Sequence, residues 1–345
     1  MVILLAILVL SFLIFVHELG HFMVAKMVGI QVDEFSIGFG PKLLGYQKKE
    51  DSTMYSLRVL PLGGYVKMAG MDPEEESHVD SFNTKPLKHR FAVISAGSVM
   101  NFLVAILLFV VTFSFIGIPA ASNSNMIGDL LPGSPAAVVG LKAGDKIISI
   151  DNEPTNNWED VAGGIRAAGE QEIKLVVERQ QEKHTFNVTP RYDSQYEVYQ
   201  IGIKQLVLWQ KQGFYQAITL GLTQAFEFAK LVLQGLVQLI SGKVSANDVA
   251  GPVGITVAIG EAAEGGLGYL FIFTAVLGIN LALINLLPIP ALDGSKLIFL
   301  MIEGLRGRPV APEKENFVNL IGFALLMVLF ILITYNDIAR IITGG

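Results

Sequence analysis

The run Phe15-Val16-His17-Glu18-Leu19-Gly20-His21-Phe22 decides how this chain is read. It interrupts an otherwise apolar stretch from Val2 to Val28. About 20 apolar residues suffice to span a bilayer, so this stretch is long enough. A charge near the middle of a spanning helix costs on the order of 2.5–3.5 kcal/mol on insertion scales. Polar residues placed there need partners. Residues four apart lie on one helical face, so His17 and His21 can reach the same ion. Glu18 lies about 100° round the helix from His17. From there it can take a proton from a metal-bound water without being a ligand. The HExxH spacing points to zinc as cofactor and to Glu18 as base. The plainer alternative is a buried polar cluster that only ties helices together.

Composition agrees with a membrane setting. The 345 residues are 52% hydrophobic and 16% charged. Mean hydropathy is +0.52. That is too apolar for an ordinary soluble domain. The net charge of -6 gives no support for a nucleic-acid partner. There are no cysteines, which excludes a disulfide framework and a cysteine-ligated zinc. Met1–Val16 is apolar like a signal-peptide core, but no basic residue precedes it and His17-Glu18 follow directly. A retained first spanning helix over 1–30 is expected.

Three more stretches are long and apolar enough to span: 91–119, 267–287 and 317–340. The fold expected is therefore an α-helical polytopic membrane protein with about four transmembrane helices. Residues 214–240 read differently. Gln216, Thr223, Gln224, Glu227, Lys230, Gln234 and Gln238 recur at three- and four-residue steps. One polar stripe of this kind suits an amphipathic helix lying on the membrane surface, so 206–266 reads as interfacial helix and linker. Lys42, Lys48, Lys49, Arg58, Lys67, Lys85, Lys88 and Arg90 crowd the first loop, and Lys296, Arg306, Arg308 and Lys314 the last. Both loops then face the cytoplasm, and the middle block and both termini lie outside.

The first loop, 31–90, has strand character. Val32–Phe39 and Met54–Val59 are rich in apolar and β-branched residues, with turns at Gly38-Phe39-Gly40-Pro41 and Pro61-Leu62-Gly63-Gly64. A membrane-associated β-hairpin is expected. The middle block, 123–205, reads as a small inserted β-rich domain. Lys146–Ile150, Glu172–Val177 and Lys183–Val188 look like strands, and Val161–Ala168 like a short helix.

Two histidines do not complete a catalytic zinc site. His78 and His89 lie in the charged first loop and His184 in the middle block, so none is a good third ligand. Asp293 is the better candidate. It follows Pro288-Ile289-Pro290-Ala291-Leu292 at the end of a spanning segment, and the prolines cannot continue a helix. Extended backbone at membrane depth is tolerated where it lines a water-filled cavity. Asp293 could equally cap the following helix. Depth favours the ligand: in a four-span topology, His17, His21 and Asp293 reach the same level. A fifth span at 214–240 would reverse the third and put Asp293 at the wrong face.

Gly133-Ser134-Pro135-Ala136, then Gly140-Leu141-Lys142-Ala143-Gly144-Asp145 and a strand, resembles a PDZ domain of the bacterial type. A structural β domain that binds nothing is the other reading. HExxH in the first helix, this PDZ-like block after the second, and Asn285-Leu286-Leu287-Pro288-Ile289-Pro290-Ala291-Leu292-Asp293-Gly294 in the third resemble the site-2 protease family of intramembrane zinc metalloproteases, in its RseP-like bacterial branch with one PDZ domain. The resemblance implies zinc on His17, His21 and Asp293, with Glu18 as catalytic base. It implies Asn280 and Asn285 near the active site, and first-loop β-structure around Gly38–Pro41, with Gly38, Phe39 and Gly40, and Met54–Met68 that pairs with an unwound substrate strand. The partners implied are the lipid bilayer, single-pass membrane substrates such as anti-sigma factors or remnant signal peptides, and a peptide or substrate tail at the PDZ-like domain. The location implied is the bacterial cytoplasmic membrane, with the PDZ-like domain extracytoplasmic. Many members carry Gly-Pro at Gly97-Ser98 and Gly-Gly at Gly294-Ser295; neither departure is expected to touch a ligand. Two rival readings are an adaptor with a structural zinc and a prenyl-protein type of protease. The first leaves Glu18 without a use, and the second would need a Glu or His as third ligand.

Overall fold

Nothing in Val2–Met27 stops a helix: it holds no proline and a single glycine, and it forms one unbroken helix, α1. The computed structural model describes residues 1–47, 52–71, 78–194, 196–243 and 250–343; Lys48 and Lys49 of the first loop lie outside the described residues. Two units are distinct, one of Met1–Ser114 with Gly213–Gly345 and one of Phe115–Gln212. Among the described residues, four helices are long and apolar enough to cross a membrane: Val2–Met27, Leu87–Ile116, Leu267–Leu286 and Glu313–Arg340. These are the four spans expected.

After α1 the chain forms β1 (Val32–Gln47) and β2 (Met54–Met68). The pairing is more than a simple hairpin. Glu34 pairs with Lys67 and with Met54, Phe35 with Val66 and Tyr55, Ser36 with Tyr65 and Ser56, and Ile37 with Gly64 and Leu57. The start of β1 therefore lies between the two halves of β2. Beyond the bend the end of β1 folds back, with Leu44 opposite Leu57 and Gln47 opposite Met54. Gly64–Met68 is left at one edge. A polar knot holds the sheet: Glu34 accepts from Ser56 at 2.5 Å, Arg58 at 2.8 Å and Tyr65 at 2.7 Å. Chain entry is fixed by α2 (Leu87–Val111), which continues through a π turn at Thr112–Ile116.

The inserted unit is the expected β-rich domain. β3 (Ile118–Ala121) and β4 (Ile127–Leu130) lead to a short α3 (Pro135–Val138), then β5 (Lys146–Ile150), β6 (Glu153–Pro154) and α4 (Trp158–Ala168). β7 (Ile173–Arg179) and β8 (Glu182–Val188) join β5 and β6 in one sheet of order β6-β5-β7-β8. The pairs β9–β10 (Arg191–Asp193, Val198–Gln200) and β11–β4 (β11, Ile203–Gln205) follow. β12 (Val207–Gln210) pairs with β3. That last ladder extends the unit past the expected 123–205 at both ends, because the two flanking segments find their hydrogen-bond partners in each other. The Gly144-Asp145 corner is built on charge. Asp145 is 1% exposed and receives Arg179 Nε at 2.6 Å, Arg179 Nη2 at 2.7 Å and the Lys142 N–H at 2.8 Å. Burial works against ionising Asp145, but these donors outweigh it and hold its carboxyl below the ordinary range.

The segment 206–266 departs from expectation. α5 (Phe214–Ile240) does carry the exposed polar stripe. Its opposite face packs on protein. Ala217, Ala225 and Ala229 are buried, Phe228 stacks on Phe109 of α2 at 5.9 Å, and Phe226 meets Phe102 at 5.5 Å. A small residue every four positions lets two helix backbones approach closely, and no amphipathicity plot distinguishes that face from one meant for lipid. The expected linker holds another helix, α6 (Pro252–Glu264), packed on α1 through Ile255 and Ile259. Asp337 caps it from a distance, accepting from the Gly251 N–H at 3.2 Å and the Gly254 N–H at 2.8 Å. Three helices complete the chain: α7 (Leu267–Leu286), α8 (Asp293–Arg306) and α9 (Pro312–Thr343), the last carrying Asp337.

Candidate metal centre

α1 and α7 run in the same direction. Leu13 packs on α7 near Gly278, and one turn later His17 reaches the residue that follows α7. Pro288 and Pro290 end α7 as expected, but the segment turns and does not stay extended: Ile289 N–H bonds Leu287 O at 2.7 Å and Leu292 N–H bonds Ile289 O at 3.1 Å. Asp293 is then the first residue of α8. A carboxylate in a first helical turn suits the N-terminal dipole, so the cap reading and the ligand reading coexist.

The three side chains converge. His17 Nε2 lies 3.0 Å from Asp293 Oδ2, His21 Nε2 lies 3.3 Å from it, and the two Nε2 atoms are 3.1 Å apart. Ligands bonded at 2.0–2.1 Å to a tetrahedral zinc would stand about 3.3 Å from one another. His21 Nδ1 is 2.8 Å from the Val93 carbonyl. A carbonyl only accepts, so Nδ1 carries the proton and Nε2 presents a lone pair. That lone pair faces a carboxylate oxygen and a second imidazole nitrogen, a set that repels itself unless a cation lies between. The residues fit zinc. Among the described residues this is the group able to hold a metal ion.

The fourth side of the site belongs to Glu18 and the sheet. Glu18 accepts from the Val66 N–H, and its Cγ lies beside Gly64. The edge Gly64–Met68 therefore runs beside the base. A cavity of about 800 Å³ opens from His17, Glu18, His21 and Asp293 past Lys67, Lys296 and Glu315. It supplies the water that part-buried charges require.

Some sequence expectations do not meet here. Asn280 and Asn285, on α7, are not among the residues that line this cavity. Gly38 and Gly40 form the bend of β1, at φ +88° and +85°, and Phe39 pairs with Leu60 and stacks on Tyr65. They lie at the fold of the strand, not on the edge that faces Glu18. Gly97 was expected to touch no ligand, yet a methyl group there would overlap His21 Nε2 and sit 2.6 Å from His17 Cε1. Sequence reading missed Val93, Arg90, Glu303 and Asn319. Asn319 accepts from the Ala291 N–H at 3.2 Å and contacts Ser295 Oγ at 3.3 Å, which fastens the turn before Asp293 to α9. The one available signal was a charge at each of Arg90 and Glu303 close to apolar segments.

The family model of peptidase family M50 matches residues 5–329. The zinc metalloprotease RasP of Geobacillus kaustophilus is 33% identical over 407 residues, covering 95% of each chain. The regulator of sigma-W protease RasP of Bacillus subtilis is 33% identical over 409 residues, covering 95% of this chain and 96% of that one. A solved PDZ domain of an SdrC-like protein from Listeria monocytogenes aligns at 18% identity and TM-score 0.23, covering 26% of this chain and 94% of that one. The chain belongs to peptidase family M50, the site-2 protease family. It is a zinc-dependent metallo-endopeptidase and a membrane protein.

Proposed function

We propose that this protein cuts the transmembrane segments of single-pass membrane proteins inside the bilayer, with His17, His21 and Asp293 holding the zinc and Glu18 acting as general base. The observation that carries this reading is the convergence of three ligand atoms within 3.3 Å of one another, with Glu18 on the same helix facing the same cavity. Zinc, when bound, supplies Lewis acidity that makes water nucleophilic near neutral pH. Glu18 takes the proton from the attacking water and returns it to the leaving amide nitrogen. Val66 N–H keeps the Glu18 carboxylate turned towards the cavity, and His21 is held in the correct tautomer by Val93.

A helical substrate hides its peptide bonds and must be extended before attack. The edge strand Gly64–Met68 lies beside Glu18, and adding the substrate as a strand there satisfies the backbone that unwinding exposes. This narrows the pairing expected of Gly38–Pro41 and Met54–Met68 to the edge Gly64–Met68. The Bacillus subtilis relative is a regulator of sigma-W, which supports a membrane protein that controls a sigma factor as the substrate class. The location that goes with it is the bacterial cytoplasmic membrane, with the inserted domain outside and free to hold a substrate tail.

Glu18→Gln is the direct test. The variant should bind zinc like the wild type and fail to cleave a reconstituted single-pass substrate. Undiminished cleavage by that variant would overturn the assignment of the base.

A further inference from the structure

α8 begins at Asp293 and, ten residues later, about 15 Å along its axis, carries Glu303. Glu303 is bound by Arg90 of α2: Nη1 donates to Oε2 at 2.9 Å and Nη2 donates to Oε1. The third donor, Arg90 Nε, is taken by the Lys85 carbonyl at 3.1 Å. Arg90 is 9% exposed, and both partners line the cavity that runs from the metal centre. Three residues after Arg90, Val93 receives His21 Nδ1. One turn of α2 is thus fastened to α1 through a ligand histidine and to α8 through a bidentate ion pair.

We propose that the Arg90–Glu303 pair is a positioning clamp that sets the Asp293 carboxylate onto the two histidine nitrogens. The inference rests on the ligand set proposed above. A buried ion pair is weak evidence for stability, since desolvation offsets most of its attraction. A two-pronged guanidinium–carboxylate contact does fix direction and distance, which a hydrophobic contact does not. Directional hold is what α8 needs. Its start hangs on a turn containing Ala291 at φ +73°, a left-handed conformation that disfavours a residue with a side chain. Its apolar residues Leu297 and Leu300 pack into the cluster with Val93 and Ile94, but apolar packing alone tolerates a helix sliding or turning by small amounts. The clamp removes that freedom at the far end.

The test is a double-mutant cycle read by zinc affinity, using chelator competition on the full chain in detergent. Glu303→Gln and Arg90→Lys should each weaken zinc binding at least about tenfold, the range for residues that orient metal ligands. Arg90→Lys keeps the charge and loses only the fork, so it guards against a variant that simply fails to fold. In an Asp293→Ala background, Glu303→Gln should produce no further loss, because the clamp acts through Asp293. An equal loss in both backgrounds, or wild-type affinity in both single variants, would overturn the clamp and leave the ligand set intact. Wild-type affinity in Asp293→Ala itself would instead overturn the ligand set, and the clamp with it.

Discussion

His21 Nδ1 donates to the Val93 carbonyl at 2.8 Å, and this one contact decides which nitrogen of His21 is free for a metal. The acceptor is backbone in the second turn of α2, three positions before the Ala96 carbonyl that crowds Gly20 of α1. The chemistry of the site and the closeness of α1 and α2 are therefore one property. A looser helix pair would lose the tautomer as well as the packing.

Gly97 is the sharpest probe of that closeness. Gly97→Ala would place a methyl group on the His17 and His21 rings. Zinc content of the purified protein should fall from one per chain to a small fraction, while the helical circular dichroism stays near wild type. Full zinc occupancy would show that the rings can move aside and that the helix contact is softer than its geometry indicates.

Val66→Pro separates the strand edge from the metal. Proline removes the N–H that Glu18 accepts, and that N–H points away from the ladder, where proline is tolerated on an edge strand. Zinc affinity should be unchanged, and cleavage of a membrane substrate should drop by part of the roughly hundredfold to ten-thousandfold that a positioned base contributes. Equal loss of zinc would mean that the strand also shapes the ligand set.

Glu34 gives a pH dependence. Burial pushes its carboxyl up, but donation from Ser56, Tyr65 and Arg58 outweighs burial and holds it at about 2. The group is depressed in the folded state, so its contribution is fully present above about 4.5 and is lost as pH falls towards about 2. Limited proteolysis of the first loop should accelerate over that window. In Glu34→Gln, cleavage should be fast already at neutral pH, and its remaining pH dependence should be flatter.

Asp337 tests how α9 is attached. Its carboxylate is 3% exposed and caps α6 through two N–H groups. Asp337→Ala should lower stability by about 0.5–2 kcal/mol, the usual worth of a cap. A thermal midpoint equal to wild type would show that ordered water or the α6 backbone itself takes over the cap.

The sequence by itself determined the four spans, the HExxH face, the place of the inserted domain and the candidacy of Asp293. Each of these is a local matter. Helical periodicity, apolar length and proline breaks act over a few residues, and a charge in an apolar run is visible wherever it stands. Three strands of the inserted unit, β5, β7 and β8, were legible within one or two residues for the same reason.

Only the tertiary structure decided the rest. α5 has one polar face and one face of alanine and glycine, and a chain alone does not reveal whether such a face meets lipid or helix; Phe102 and Phe109 settle it by packing there. Gly97 looked incidental until α1 came close enough to need it. The edge that meets Glu18 is Gly64–Met68, because the start of β1 sits between two halves of β2, a pairing fixed by contacts 20 to 36 residues apart in sequence. Arg90 and Glu303 are 213 positions apart. Long-range pairings of this kind depend on where three helices cross, and the sequence carries no local mark of that crossing.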